Sequence, residues 1–204
     1  MIRAVAWDID GTLVDSEGLH HLALVDVSSR HGVRLELDDP RFIGVSMDQV
    51  WVALSPLYPS ELSQSAWLEE IVASYLRKSE LLRAFPGALR ALEQLRESGV
   101  RQCCVSNSVR PVVDANLRVI GADAIVEFSI CRDDVVHGKP DPAPYLLACQ
   151  RLDLAPAEVL VVEDSTTGMA AGRAAGCRVM RIGSDHCDFT EIVDAATGGA
   201  GFAA

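Results

Sequence analysis

Short apolar runs alternate with amphipathic stretches along most of this chain. The runs have the length of buried strands, and they occupy residues 5–7, 102–105, 125–130, 159–162 and 178–182. Between the later runs, the sequence predicts helices over residues 86–98, 109–120, 142–152 and 166–175. Strands that alternate with helices are typical of βαβ units. The pattern therefore predicts an α/β protein with a parallel sheet.

One segment, from about residue 16 to residue 82, breaks this alternation. It contains no convincing strand, and its two clearest periodic stretches, 17–31 and 65–83, predict amphipathic helices. Prolines separate the shorter pieces between them. We therefore predict that residues 16–82 form an all-helical insertion, and that residues 1–15 and 83–204 form the α/β core.

The composition fits a globular protein and limits its partners. Hydrophobic residues make up 49% of the 204 residues and charged residues 23%. A net charge of −11 argues against nucleic acid or an acidic membrane surface as the main partner. No apolar run is long enough to cross a membrane, and an acidic motif near the N-terminus leaves no room for a signal peptide. We therefore expect a cytoplasmic protein with no membrane partner.

The six cysteines all follow Val100 and form no Cys-x-x-Cys pair, so they do not indicate a zinc site. Most fall in apolar segments, where a free thiol behaves as a small hydrophobic group. We expect reduced thiols in the core, an interpretation that the sequence supports least at Cys187.

Two carboxylates directly follow the first predicted strand. Asp8 and Asp10 are separated by one residue, and in extended chain such side chains point to the same side. The carboxyl ends of parallel strands are where such sheets bind ligands. Two acids held close together repel each other unless a positive charge lies beside them. The pair therefore indicates a hard cation, and a cation held by carboxylates suggests a phosphate ligand.

Three further motifs fall near the same predicted sheet edge. Ser106 and Asn107 offer a hydroxyl and an amide suited to phosphate oxygens. Lys139 supplies a positive charge in a loop stiffened by prolines, and Glu163 and Asp164 add two acids after an apolar run. Each motif alone also fits a structural role, such as a helix cap or a solvated loop. Together they predict up to four carboxylates, a lysine and a serine at one edge of the sheet.

With these four motifs in this order, the chain resembles the haloacid dehalogenase-like phosphatase superfamily. Within it, the chain is most similar to the branch of β-phosphoglucomutase-like and small sugar-phosphate phosphatases. The resemblance covers nearly the whole chain. It implies a Rossmann-like core whose inserted helical cap, residues 16–82, closes over a small phosphorylated metabolite. We expect a monomer or a weak homodimer.

The resemblance also implies catalytic roles. Asp8 would attack phosphorus and form an aspartyl-phosphate. Asp10 would protonate the leaving alkoxide and then deprotonate the attacking water. Ser106 and Lys139 would bind the transferring phosphoryl oxygens, and Lys139 would keep Asp8 ionised. Haloacid dehalogenases are expected to lack the second aspartate, so Asp10 favours phosphoryl chemistry.

A Mg²⁺ site follows from the same resemblance. The carboxylates of Asp8 and Asp164 and the main-chain carbonyl of Asp10 would hold the ion. Glu163 would either ligate it or orient a bound water. We therefore expect Mg²⁺ as the cofactor.

Three residues are candidates for substrate binding. Thr12 would position the first loop, and Asn107 would donate to phosphate oxygens. His20, in the first predicted helix of the insertion, matches a position that carries histidine in the mutase-like branch. A surface or hinge histidine is the alternative at this position. Arg41 is the nearest basic candidate for recognition from the insertion.

Two departures favour a hydrolase over a mutase. In the mutase branch, an arginine follows the segment that resembles residues 44–46, and a lysine lies just beyond the serine loop. Here Met47 stands at the first position and Ser108-Val109 at the second, with Arg41 or Arg110 as the cations that could substitute. Each missing cation removes a charge-assisted contact to a second phosphate. We expect a phosphatase, with a mutase of the β-phosphoglucomutase type as the alternative. A catalytically inactive binding protein is the third hypothesis, although no motif residue is missing.

Overall fold

The computed structural model describes residues 1–37, 39–42, 45–183 and 188–198. The chain divides into two compact units, of which the first is Met1–Asp15 with Arg83–Ala204 and the second is Ser16–Leu82. Gly44 and Cys187, which the sequence analysis named, lie outside the described residues. In the part of the chain that the structure describes, no helix has the length and apolar character needed to cross a membrane.

Helices are the regular elements of the second unit among its described residues, and turns or irregular segments join them. Its α-helices are α1 (Glu17–Arg30), α2 (Met47–Leu54) and α3 (Gln64–Leu76), and short 3-10 helices occur at Pro40–Phe42, Ser55–Leu57 and Ser79–Leu81. Helix α1 packs on α3, and Trp67 of α3 is fully buried, with Nε1 donating to the Tyr58 hydroxyl at 3.3 Å. The helix predicted over 65–83 is too long. The Ser79 hydroxyl donates to the Leu76 carbonyl at 3.0 Å, and such side-chain bonds compete with continued helix.

The first unit is built on five parallel strands. They are β1 (Ala4–Trp7), β4 (Arg101–Val105), β5 (Ser129–Ile130), β6 (Val159–Glu163) and β7 (Arg178–Arg181), while β2 (Val14–Asp15) and β3 (Arg83–Ala84) form a separate antiparallel pair. The sheet order is β5-β4-β1-β6-β7. In this register Trp7 lies opposite Cys104 of β4 and Val162 of β6, so the three central strands end together. The predicted α/β class with a parallel sheet is confirmed.

Helices cover this sheet and explain the apolar character of its strands. They are α4 (Ala88–Glu97), α5 (Arg110–Ile120), α6 (Ala143–Leu152), α7 (Thr166–Ala174) and α8 (Phe189–Thr197). Every residue of β1 and of β6 is buried, as is typical of strands packed on both faces. The buried polar group Gln102 is satisfied, because it accepts from Trp7 Nε1 at 3.0 Å and donates to the Leu92 carbonyl at 2.8 Å.

The strand predicted over residues 125–130 is much shorter in the structure. Gly121 ends α5 with a left-handed φ of 75°, and a 3-10 helix over Ala122–Ala124 follows directly. Only β5, Ser129–Ile130, then reaches the sheet, where it pairs with Cys104 and Val105. The apolar residues just before β5 lie in the connecting turn. Their spacing along the sequence resembles that of a strand, which explains why the predicted strand is too long.

Candidate active site

The motif residues leave the sheet where its central strands end. Asp8 follows β1, Ser106 follows β4, and Glu163 is the last residue of β6. Lys139 lies in the loop that leads to α6, and its ammonium reaches back to this edge. The parallel register therefore brings together residues that are up to 155 positions apart, as the sequence predicted for the carboxyl edge of the sheet.

Lys139 joins two of the acids. Its Nζ donates to Asp8 Oδ1 at 2.7 Å, to Glu163 Oε1 at 2.5 Å and to the Val105 carbonyl at 2.7 Å. The exposed fractions of the three side chains are 4% for Lys139, 9% for Asp8 and 0% for Glu163. A buried ammonium uses all three of its donors here, so the charge is held in one place.

The same contacts govern the protonation of the cluster. Burial and the neighbouring Glu163 carboxylate raise the pKa of Asp8 well above its usual value, and the Lys139 ammonium opposes that rise. Burial alone would lower the pKa of Lys139, but its attraction to Asp8, Tyr145 and Glu163 holds that pKa well above its ordinary value. Lys139 therefore stays charged and favours the ionised form of Asp8.

Asn107 braces the loop that carries Lys139. Its Oδ1 accepts from the Lys139 backbone N–H at 2.8 Å, and its Nδ2 donates to the Lys139 carbonyl at 3.0 Å. The peptide bond between Lys139 and Pro140 is cis. A Cβ at Gly138 would lie 2.5 Å from Asn107 Oδ1, so the close approach of the two loops needs glycine there. In the structure the Asn107 amide bonds to the Lys139 backbone. Its predicted contact with substrate stays a prediction.

Glu163 lies at the bottom of the cluster with its carboxylate fully engaged. Oε1 accepts from Lys139 and from the Tyr145 hydroxyl at 2.7 Å, and Oε2 accepts from the Ser165 hydroxyl at 2.9 Å. Burial also raises the pKa of Tyr145 well above its usual value, so the phenol stays a hydrogen-bond donor. The carboxylate is thereby fixed as the buried partner of the ammonium.

Gly168, in the first turn of α7, leaves room for the Glu163 carboxylate. A Cβ built there would overlap that carboxylate. We expect Gly168→Ala to lower the free energy of unfolding by about 1–3 kcal/mol, the range for overpacking a filled core, and to reduce activity by displacing Glu163. Chemical unfolding and turnover measure the two effects.

Gly18→Ala is the matched control for this substitution, because a Cβ at Gly18 of α1 meets no atom within 4 Å. That variant should be as stable as the parent or more stable by up to about 1 kcal/mol, the gain of alanine over glycine in a helix interior. Equal stability of the two variants would contradict the assigned role of Gly168.

Asp10 is held by three donors from β4 onwards. Its Oδ2 accepts from the Ser106 hydroxyl at 3.0 Å and from the Ser108 hydroxyl at 2.9 Å. Its Oδ1 accepts from Asn116 Nδ2 of α5 at 2.8 Å. Asp10 therefore lies at the same edge as Asp8, with both carboxylate oxygens bonded.

Asp164 completes a group of acids that fits a divalent cation. Ligand oxygens of Asp8, Glu163 and Asp164 all lie within 4.8 Å of one another. The Thr12 hydroxyl donates to Asp164 Oδ1 at 3.4 Å, which orients the Asp164 carboxylate. Burial, together with the Glu163 charge, raises the pKa of Asp164, so a cation beside it would favour its ionised form. Clustered carboxylate oxygens are the donors that Mg²⁺ prefers.

Two of the residues that the sequence suggested for substrate recognition, His20 and Arg41, belong to the second unit. The His20 ring lies 4.5 Å from the Tyr75 ring, centroid to centroid, within that unit. Arg41 pairs with Asp39, with Nη2 at 2.5 Å from Oδ2. The predicted contacts of His20 and Arg41 with substrate stay predictions.

Four residues with clear contacts to the cluster were missed by sequence reasoning: Ser108, Asn116, Tyr145 and Gly168. Of these, only Asn116 could have been found from the sequence pattern. It is a polar residue on the apolar face of a predicted helix, among Val113, Leu117 and Ile120. A buried polar group requires a partner, and Asp10 supplies it.

Comparison with known proteins agrees with this geometry. The family model for haloacid dehalogenase-like hydrolases matches residues 2–176, and the chain belongs to that family. Hexitol phosphatase A of Escherichia coli (strain K12) is 33% identical over 88% of this chain and 82% of its own length. The phosphorylated carbohydrates phosphatase of Thermotoga maritima is 29% identical over 86% of this chain and 82% of its own length.

A solved structure extends the comparison to the fold. The HAD family hydrolase of Deinococcus radiodurans R1, crystallised with bound phosphate and sodium, is 30% identical to this chain with a TM-score of 0.69. The match covers 98% of this chain and 89% of that one. The protein is therefore an enzyme of the haloacid dehalogenase-like hydrolase family, with named phosphatases among its relatives.

Proposed function

We propose that this protein is a phosphatase that hydrolyses a small phosphate monoester through a phosphoryl-enzyme intermediate on Asp8. The observation that carries the proposal is the contact of buried Lys139 with Asp8 at 2.7 Å. Asp10, Ser106, Glu163 and Asp164 lie at the same edge of the sheet. An ionised carboxylate beside a fixed cation is suited to attack a phosphoryl group and to tolerate its charge.

The reaction has two steps. In the first, a carboxylate oxygen of Asp8 forms a bond to phosphorus, the bond from phosphorus to the ester oxygen breaks, and Asp10 gives its proton to the leaving alkoxide. In the second, Asp10 takes a proton from water as that water attacks the aspartyl-phosphate, which releases phosphate and restores Asp8. Lys139 and Ser106 bind the phosphoryl oxygens throughout.

Mg²⁺ is the cofactor that we propose for the acids at this edge. Asp8 and Asp164 would hold it, and the main-chain carbonyl of Asp10 would add a third oxygen. When bound, the ion supplies charge neutralisation at the phosphoryl oxygens. The bonds that Glu163 accepts from Lys139, Tyr145 and Ser165 favour a different role for that residue, as the buried partner that orients Lys139.

A sugar or polyol phosphate is the substrate class that the comparisons favour. The curated relatives named above are a hexitol phosphatase and a phosphatase of phosphorylated carbohydrates. The second unit, Ser16–Leu82, is the cap in this proposal and would select the substrate. A neutral polyol offers hydroxyls for such selection, whereas the phosphate is common to the class.

Hydrolysis is favoured over the mutase reaction by the residues just beyond the Ser106 loop. The mutase branch is expected to carry a lysine there, and here Ser108 and Val109 stand instead, with the Ser108 hydroxyl donating to Asp10. A serine used in this way supplies no charge for the second phosphate of a bisphosphate intermediate.

A panel of phosphorylated metabolites tests the function. With Mg²⁺ present, we expect phosphate release to be fastest with sugar and polyol monophosphates, and we expect it to stop when EDTA removes the metal and to return on adding Mg²⁺. Phosphate release is measured colorimetrically. Undiminished turnover in EDTA would contradict the metal assignment.

The same panel separates the two reaction classes. Conversion of β-glucose 1-phosphate to glucose 6-phosphate faster than phosphate release would establish the mutase alternative. Lack of turnover on every ester would favour the binding-protein hypothesis.

A further inference from the structure

The Asp10 carboxylate accepts hydrogen bonds both from helix α5 and from the loop after β4. Ser106 and Ser108, in the loop after β4, donate to Oδ2, while Asn116 of α5 donates to Oδ1. The loop donors and the helix donor thus bind opposite oxygens, and together they fix both the position and the rotation of the carboxylate. Ser106 and Ser108 belong to the loop of a motif that the proposed function already uses, whereas Asn116 reaches Asp10 from helix α5, which carries no motif residue.

Asn116 is an unusual residue for its place in α5. It is fully buried, and the buried positions around it on the helix are the apolar Val112, Val113, Leu117 and Ile120. An amide in such surroundings costs free energy unless it is hydrogen-bonded, and an apolar residue of similar size would fill the same space without that cost. The Asn116 amide is hydrogen-bonded, because its Nδ2 donates to Asp10 Oδ1 at 2.8 Å, and this bond is the feature that an apolar residue would lack.

We propose that Asn116 is a positioning residue that holds Asp10 in the orientation required for proton transfer to the leaving group. This inference rests on the proposed function, in which Asp10 is the acid and base. Proton transfer requires the carboxyl group to lie within hydrogen-bond reach of the ester oxygen, and Asp10 sits in a short loop on a side chain with two rotatable bonds. A donor from a helix limits that rotation more tightly than donors from the loop after β4.

The choice of leaving group isolates this role. An alkoxide is a poor leaving group and needs a proton in the first step, while p-nitrophenolate leaves with little assistance. The parameter kcat/KM reports the first irreversible step, which here is transfer of the phosphoryl group to Asp8. A loss confined to the alkyl ester therefore reports on proton transfer, and a loss common to both esters reports on binding, attack or folding.

The variant Asn116→Leu keeps the burial and approximate volume of the side chain and removes its donor. We expect kcat/KM for glycerol 2-phosphate to fall about tenfold, the size of one neutral hydrogen bond in the transition state, and kcat/KM for p-nitrophenyl phosphate to stay within about twofold of the parent. Asn116→Ala serves the same comparison if the leucine variant does not fold.

Val113→Ala is the matched control, because Val113 is a fully buried residue of the same helix. It should lower stability by creating a cavity, with the ratio of kcat/KM for the two esters unchanged. An Asn116 variant that behaves like Val113→Ala, or that turns over glycerol 2-phosphate faster than the parent, would overturn the positioning role.

Asp10→Asn distinguishes failure of this inference from failure of the proposed function. We expect it to lower kcat/KM for glycerol 2-phosphate by on the order of 10²–10⁴-fold, the usual contribution of general acid catalysis, with a smaller loss for p-nitrophenyl phosphate. If Asp10→Asn lacks this dependence on the leaving group, the acid role of Asp10 is wrong. If Asp10→Asn has it and the Asn116 variants lack it, only the role of Asn116 is wrong.

Discussion

An Asp8→Asn variant is expected to lose phosphatase activity by on the order of 10⁴-fold or more, since a neutral amide oxygen is a far weaker nucleophile than a carboxylate. The substitution changes one atom and keeps the side-chain volume. Lys139 retains its bonds to Glu163 and to the Val105 carbonyl, so the site is not dismantled. Steady-state hydrolysis of p-nitrophenyl phosphate, with its stable leaving group, gives the most sensitive readout.

The same variant should fold at least as well as the parent. Burial raises the pKa of Asp8 because the ionised form is poorly solvated, and asparagine carries no charge that must be removed from water. A thermal midpoint equal to or above that of the parent would therefore accompany the loss of activity. This combination separates a missing nucleophile from a misfolded chain.

Asp123→Asn is the matched control, because Asp123 is an exposed aspartate of the same unit. It should leave both turnover and stability close to the parent values. Turnover by Asp8→Asn at the parent rate would exclude Asp8 as the nucleophile. A phosphorylated intermediate trapped by acid quench in the parent, and absent from Asp8→Asn, would support the two-step route.

Elements with strong periodicity could be predicted from the sequence, and elements that depend on distant contacts could not. Helix α5 was predicted within a residue of its observed bounds, because it carries apolar spacing, an early proline and a terminal glycine. The pair β2 and β3 has two residues in each strand, too few to show a pattern, and it forms only because the chain returns at Arg83. Helix α8 was also missed, although the Asp188 side chain caps its first turn.

For the candidate site, the gathering of the motif residues at one edge of the sheet could be predicted from the sequence, and the orientation of their side chains could not. The motif residues lie at the ends of apolar runs or in a stiff loop, and parallel strands bring such residues to one edge of the sheet. They are Asp8, Ser106, Lys139 and Glu163. That Asn107 would bond to the Lys139 backbone depends on how two loops meet across the sheet. Contacts of this kind follow from register and loop geometry, which local patterns do not encode.

Lys139→Met should be the most damaging single substitution for stability in this cluster. It removes the cation and leaves the carboxylates of Asp8 and Glu163 buried, with exposed fractions of 9% and 0%. Breaking a buried pair in this way costs about 3–5 kcal/mol, because an uncompensated charge remains away from water. Activity should fall as well, since Lys139 favours the ionised form of Asp8 and, in the proposed mechanism, binds the phosphoryl group. Urea unfolding and turnover measure the two losses.

A second substitution separates these two losses. In the double variant Lys139→Met with Glu163→Gln, one unpaired charge is gone and the glutamine amide oxygen still accepts from Tyr145, so much of the stability should return while activity stays low. Lys78→Met is the matched control, because Lys78 is the chain's other lysine and its side chain is 37% exposed, 4.0 Å from Asp26. Its loss should change stability by no more than about 0.5 kcal/mol. If Lys139→Met were as stable and as active as Lys78→Met, the buried ion pair would have no part in either folding or catalysis.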